Sequence, residues 1–81
     1  MMTDIEVIYS TEWCGDCIRS KKFLDENNIP YKLIDIDLDE KAKEKAASYN
    51  NGKARVPTIV FIDGSVLIEP SDEELGKKLG L

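Results

Sequence analysis

Two cysteines three positions apart carry the clearest potential for chemistry in this sequence. Cys14 and Cys17 are the only cysteines among 81 residues, and the chain contains no histidine. A disulfide between them would close a very short loop, so it would restrain the unfolded chain little and stabilise the fold poorly. Without histidines, two cysteines also fall short of the four ligands of an ordinary structural zinc site. The pair therefore suits reversible thiol–disulfide exchange.

The position of this pair along the chain favours an activated nucleophile. Residues 5–10 are rich in β-branched and aromatic side chains and predict a buried strand, and a helix is expected from about Cys14 to Asn27. Free backbone N–H groups and the helix dipole favour a thiolate at the start of a helix. Cys17 lies one turn further on the same face. We therefore predict Cys14 as the nucleophile and Cys17 as the resolving thiol, not two ordinary core cysteines.

The middle of the chain predicts a second strand and a second helix. The strand is expected over residues 31–36, and the helix is capped by Asp37 or Asp39 and extends to about Tyr49. The first helix thus connects two strands. Such strands are parallel in one sheet, with a right-handed crossover.

The last third of the chain predicts a hairpin and a final helix. Strands are expected over residues 58–62 and 65–68, joined by a two-residue turn at Asp63-Gly64. A Ser-x-x-Glu capping box at residues 71–74 opens the last helix. The order is βαβαββα. It predicts an α/β protein with a mixed four-stranded sheet flanked by three helices.

Composition and charge restrict the functional classes. The length fits one domain, residues 1–81, and the formal net charge is −5 at pH 7. No basic cluster stands out apart from Arg19, Lys21 and Lys22, which we interpret as a solvated helix face, so this acidic domain is not expected to bind nucleic acid. The start, Met1-Met2-Thr3-Asp4, and the interruption by Glu6 predict neither a signal peptide nor a membrane span. We expect a cytoplasmic monomer with reduced thiols, where a Cys-x-x-Cys pair is more often catalytic than structural.

Longer motifs connect the sequence to a known family. Tyr-Ser-Thr-Glu-Trp-Cys-Gly-Asp-Cys lies at residues 9–17, Val-Pro-Thr at 56–58, Asp-Gly-Ser at 63–65 and Pro-Ser at 70–71. In these motifs the chain resembles the glutaredoxins, and among them the mycoredoxin branch, over essentially its whole length. The resemblance implies a thioredoxin-like fold and an enzyme that reduces oxidised or S-thiolated proteins. It also implies attack by Cys14 and a low-molecular-weight thiol as co-substrate, with no bound cofactor.

The resemblance assigns five further residues to substrate binding. Its cis-proline, in a Val-Pro pair beside the cysteines, corresponds to Val56 and Pro57, although a proline before a strand is also a plain strand start. Ser71 and Asp72 match the pair that glutaredoxins place beside the thiol ligand, and they fit helix capping alone equally well. Trp13 is expected to shield the thiolate and shape a docking surface, or else to be a partly buried anchor.

Two positions depart from the glutathione-using glutaredoxins. Many of those proteins have a lysine where this chain has Thr11, and most have Gly-Gly where it has Glu69-Pro70. Both elements help to hold glutathione. We therefore predict weak recognition of glutathione and better turnover with a mycothiol-like thiol or a thioredoxin-type reductase. Lys53 and Arg55, beside the Val-Pro loop, are expected either to compensate in part or to be solvated surface residues.

Three alternatives stay open on the sequence alone. A dithiol protein of this kind can be an electron donor to one enzyme such as ribonucleotide reductase, but the aromatic and Gly-Phe-Arg-Pro features of such donors are absent from residues 67–72. Some glutaredoxins dimerise around an iron–sulfur cluster held by one cysteine from each subunit. Those proteins often have a single active cysteine, so Cys17 argues mildly against a cluster carrier. A non-catalytic docking module would show no thiol–disulfide exchange at all.

Overall fold

The computed structural model describes residues 4–81 and confirms the predicted order of elements. The elements are β1 (Ile5–Ser10), α1 (Gly15–Glu26), β2 (Leu33–Asp35), α2 (Glu40–Ser48), β3 (Thr58–Phe61), β4 (Val66–Ile68) and α3 (Asp72–Leu79). The first three residues, from which the absence of a signal peptide is predicted in part, lie outside this range. Over residues 4–81, no helix is long and apolar enough to cross a membrane.

The four strands form one mixed sheet in the order β2-β1-β3-β4. β1 is parallel to β2, with Ile8 opposite Leu33, and antiparallel to β3, with Val7 opposite Val60. β3 and β4 form the predicted antiparallel hairpin. Because β1 is central, the chain leaves the sheet after Ser10 at the carboxyl end of two parallel strands. This is the edge at which open α/β sheets place their sites.

The second strand is shorter than the predicted residues 31–36. It ends at Asp35 because a turn begins there. The Asp35 carboxylate accepts the N–H of Asp37 at 2.9 Å, and its carbonyl accepts the N–H of Leu38 at 3.2 Å. Asp39, rather than Asp37, caps α2 by accepting the N–H of Ala42 at 3.0 Å.

The predicted two-residue turn at Asp63-Gly64 is wrong by one residue. Phe61 donates its N–H to the carbonyl of Ser65 at 2.9 Å, so the loop between the strands consists of residues 62–64. Gly64 has a φ of 89°, a backbone conformation that glycine adopts easily and that residues with a Cβ atom rarely adopt. A three-residue hairpin loop ending in a left-handed glycine explains why the Asp-Gly pair marks the hairpin but misplaces its ends.

The apolar core is divided between the two faces of the sheet. One face packs against α1 and α3 through Ile5, Ile8, Leu24, Ile59, Phe61, Leu75 and Leu79. The other face packs against α2 through Val7, Tyr9, Ile36, Ala42, Ala46 and Val60. Alternation along the strands produces this division, and a register shift between Ile5 and Val7 places Ile5 on the same face as Ile8. Leu24 thereby fixes α1, the helix that carries the cysteine pair.

Candidate active site

Cys14 is the N-cap residue of α1, as its position in the sequence predicts. Its Sγ accepts the backbone N–H of Cys17 at 3.1 Å, and its thiol faces the carbonyl of Val56 at 3.6 Å. The sulfur therefore occupies the place where an aspartate or serine oxygen usually caps a helix. The Cys17 N–H and the start of α1 thus lie where they can stabilise negative charge that develops on this sulfur during a reaction.

Cys17 is buried more deeply than Cys14. Its side chain is 0% exposed, whereas Cys14 is 7% exposed, and both thiols are free. Burial above all, and then the hydrogen bond with Cys14, raise the pKa of the Cys17 thiol to about 12. A backbone hydrogen bond from Thr11 and the charge of Lys21 act in the opposite direction. Cys17 therefore holds its proton at neutral pH, which leaves Cys14, the thiol that lines the cleft, as the candidate for a first attack.

The Val56-Pro57 peptide bond is cis, and its loop lies directly beside Cys14. Two hydrogen bonds fix this loop. The Thr58 hydroxyl donates to the carbonyl of Arg55 at 2.6 Å, and the Glu69 N–H donates to the carbonyl of Pro57 at 2.9 Å. Val56 thus presents its backbone next to the reactive sulfur, where the family resemblance expects a substrate-binding loop.

A cleft of about 630 Å³ opens at Cys14. It is lined by Trp13, Cys14, Gly15, Asp16, Lys53, Ala54, Arg55, Val56 and Glu69. Arg55 forms an ion pair with Glu69 at 3.4 Å, so part of the positive charge in the cleft is neutralised. A volume of this size suits a small thiol ligand.

Glu69 is a functional candidate that sequence reasoning identified only as a departure from the family pattern. Its φ is 51°, a left-handed conformation that is unusual for a residue with a side chain and more so before a proline. Strained backbone of this kind concentrates at binding sites. The conformation accompanies the Arg55 ion pair within the cleft. Thr11, the other departure, is fully buried and does not line the cleft.

Ser71 and Asp72 do not line the cleft around Cys14. The Ser71 hydroxyl accepts the N–H of Glu74 at 3.1 Å, and the Glu74 carboxylate accepts the N–H of Ser71 at 3.0 Å, which is the predicted capping box. Asp72 lies 3.6 Å from the Nε of Arg19. Their role in binding a thiol stays a prediction.

Arg19 is a residue that the sequence pattern suggested to be a solvated helix position. In the structure its guanidinium donates to the carbonyl of Pro70 at 3.0 Å and lies 3.6 Å from Asp16 as well as from Asp72. It thus connects α1 to the start of α3 behind the cleft. The i,i+3 spacing of Asp16 and Arg19 indicates only their pair within α1 and gives no signal for the contacts with Pro70 and Asp72.

Trp13 is 73% exposed, so the structure does not support its interpretation as a partly buried anchor. Its indole N–H donates to the carboxylate of Asp37 at 2.7 Å. The ring is therefore held at the rim of the cleft. Within residues 4–81, no group of three or more potential Cys, Asp or Glu ligands is arranged to hold a metal ion.

The glutaredoxin family model matches residues 7–67. The chain belongs to the glutaredoxin family. It is 44% identical over 79 residues to a Mycobacterium tuberculosis protein whose name places it with the glutaredoxins, covering 98% of this chain and 94% of that protein. It is 40% identical over 72 residues to Mycoredoxin 1 of Corynebacterium glutamicum, covering 89% of each.

Solved structures extend this likeness to the fold. The crystal structure of the thioredoxin-like protein BC3987 superposes with a TM-score of 0.76 at 33% identity, covering 94% of this chain and 100% of that one. The chain therefore has a thioredoxin-like fold, as the resemblance implies. Glutaredoxins are thiol–disulfide oxidoreductases, and this glutaredoxin is one of them.

Proposed function

We propose that this glutaredoxin reduces protein disulfides and mixed disulfides between proteins and low-molecular-weight thiols, with Cys14 as the nucleophile. One observation carries the proposal. The Cys14 sulfur caps α1 and accepts a backbone N–H at 3.1 Å, while burial raises the pKa of the Cys17 thiol to about 12. The two thiols therefore have different tasks, since one is suited to attack and the other keeps its proton until a later step.

In the first step the Cys14 thiolate attacks one sulfur of the substrate disulfide. A new S–S bond forms on Cys14, the substrate S–S bond breaks, and the departing thiolate takes a proton from water. In the second step a small thiolate can attack the substrate-derived sulfur of this mixed disulfide, which forms a new disulfide outside the protein and releases the Cys14 thiolate. Alternatively the Cys17 thiolate attacks the Cys14 sulfur, which releases the substrate thiolate and leaves a Cys14–Cys17 disulfide that external thiols or a reductase must then reduce. The two electrons for the substrate come from the thiols that become joined in the new disulfide.

Two thiols can perform the second step. Cys17 lies next to Cys14 but must first lose its proton, and the chain has no histidine to accept it. A small thiol enters through the cleft and is more readily ionised, because an ordinary cysteine thiol has a pKa of about 8.5. The small-thiol route is therefore the faster one for mixed disulfides. Cys17 serves substrates that reach the site when such a thiol is scarce.

The cleft favours a thiol with little negative charge. Glutathione carries two carboxylates, which need positive or N–H-rich partners. Arg55 is already paired with Glu69 at 3.4 Å, and Pro70 has no N–H to offer. Lys53 lines the same cleft and forms no ion pair within residues 4–81, so a single unpaired cation faces the two carboxylates that glutathione would bring. These contacts support a sugar-based, mycothiol-type thiol as co-substrate, in line with the 40% identity to a mycoredoxin.

The test is reduction of one mixed-disulfide protein at equal concentrations of glutathione and of a mycothiol-type thiol, and in parallel with a thioredoxin-type reductase. We expect faster turnover with the sugar-based thiol or the reductase than with glutathione. Fastest turnover with glutathione would refute the thiol preference and leave the roles of the cysteines intact. No turnover with any of the three would refute the proposed function. We place this activity in the cytoplasm, where small thiols are reduced.

A further inference from the structure

A second surface adjoins the cleft, and it is apolar and exposed. Leu38 is 83% exposed and Leu33 43% exposed, and Asp37, the residue before Leu38, accepts the indole N–H of Trp13 at the rim of the cleft. Both leucines border a groove of about 260 Å³, whose lining also includes Glu12 and Lys21. Glu12 of this lining directly precedes Trp13 of the cleft lining, so the groove and the cleft meet at neighbouring residues after the carboxyl end of β1. We call this surface the Leu38 groove.

The turn that carries Leu38 is held in place before anything binds. Leu38 donates its N–H to the carbonyl of Asp35 at 3.2 Å, and the Asp35 carboxylate accepts the N–H of Asp37. The Asp37 carboxylate in turn accepts the indole N–H of Trp13 at 2.7 Å. The large apolar side chains of Trp13 and Leu38 are thus carried by backbone segments that hydrogen bonds hold together. Docking onto such a surface costs little conformational entropy.

The charge around the Leu38 groove is negative. Glu12 and Asp35 line the groove and Asp37 lies at its rim, against one cation, Lys21. Among the residues from 4 onwards, no lysine or arginine lies within 4.0 Å of these three carboxylates. Across the cleft the charges balance, because Asp16 and Glu69 lie with Lys53 and Arg55. Only the Leu38 side of the site therefore attracts positive charge.

We propose that the Leu38 groove docks a segment of the protein substrate in which an apolar side chain and lysines or arginines lie close to the reactive cysteine. The inference rests on the proposed function, since the segment is held while its disulfide reacts with Cys14. A small molecule fits less well, because the groove measures only about 260 Å³, whereas ligand pockets usually measure roughly 300–1,000 Å³. A second copy of the chain, bound face to face through this groove, would oppose like charges across a two-fold axis.

The first test compares two mixed-disulfide peptides that share an apolar residue and differ only in lysines or glutamates beside the cysteine. We expect kcat/KM to be about tenfold higher for the lysine peptide at low ionic strength. The ratio falls as salt shortens the Debye length. Asp35→Asn keeps a side-chain oxygen for the Asp37 N–H and removes one charge. At about 7 Å in water such a charge corresponds to roughly a threefold change, so kcat/KM for the lysine peptide falls by about that factor.

The second test separates the groove from the chemistry. Leu38→Ser is expected to lower kcat/KM for the lysine peptide by about tenfold through lost apolar burial, with turnover of a small uncharged disulfide unchanged. The matched control is Ile62→Ser, in the β3–β4 loop, where Ile62 is 65% exposed. We expect Ile62→Ser to change neither kcat/KM for the lysine peptide nor turnover of the small disulfide.

Equal rates on the two peptides, or equal losses in Leu38→Ser and Ile62→Ser, would overturn the proposal. Self-association in solution that Leu38→Ser abolishes would overturn it too, by assigning the groove to a second copy. Failure of the wild-type protein to turn over the small disulfide would instead refute the proposed function.

Discussion

When a thiol is bound to Cys14 as a mixed disulfide, Cys17 can attack it only after losing its proton. With a pKa of about 12, on the order of 10⁻⁵ of the Cys17 thiol is ionised at pH 7, and this fraction rises tenfold with each pH unit. Mixed-disulfide formation removes the hydrogen bond with Cys14 but leaves burial, the largest cause, in place. We therefore expect the internal resolution rate to rise about tenfold per pH unit from about pH 7 to 9 without a plateau.

The assay uses an aromatic disulfide reagent that leaves a chromogenic thiol on Cys14 and releases it when Cys17 attacks. The release rate is followed at several pH values in the absence of other thiols. Cys17→Ser is the matched control, in which release should require added thiol. A plateau near about pH 8.5, the value of a free cysteine, would show that Cys17 is not shielded as the structure indicates.

Further predictions concern reactivity, specificity and stability. At neutral pH, iodoacetamide should modify Cys14 and leave Cys17 unmodified by mass spectrometry, and the reverse pattern would contradict their assigned roles. Glu69→Gln releases Arg55 and should lower the KM for glutathione by about threefold, a change absent with an uncharged thiol. Because the folded-state pKa of Cys17 is raised, its contribution to stability is complete below about pH 9 and is lost as pH rises toward about 12. The free energy of unfolding, measured by urea denaturation, should therefore fall more steeply between about pH 9 and 12 in the wild type than in Cys17→Ala. Leu24→Ala should cost about 2–5 kcal/mol of unfolding free energy, and a loss under about 1 kcal/mol would contradict its place in the core.

Features set by neighbouring residues could be predicted from the sequence. Cys14 at the start of α1 follows from a strand, a short turn and a helix in sequence, and the structure confirms it. The capping box at residues 71–74 is likewise a local pattern, and both of its hydrogen bonds are present. The cis bond at Val56-Pro57 could be predicted only through the family resemblance. The residues around a proline at the start of a strand do not determine whether its peptide bond is cis or trans.

Features that depend on distant parts of the chain could not be predicted. Arg19 contacts Pro70 and Asp72, more than fifty positions away, and no local pattern distinguishes it from a solvated helix residue. The left-handed backbone of Glu69 is fixed by contacts with the loop around Arg55 and Pro57. The local sequence, which disfavours this conformation before a proline, therefore predicts the opposite.

The division of roles between the two cysteines is tested most directly by single substitutions in one assay. Reduction of a small mixed-disulfide substrate is measured with a saturating small thiol for the wild type, Cys14→Ser and Cys17→Ser. We predict that Cys14→Ser abolishes turnover and that Cys17→Ser retains most of it, because the small thiol resolves the intermediate. Turnover that survives in Cys14→Ser, or that disappears in Cys17→Ser, would contradict this account.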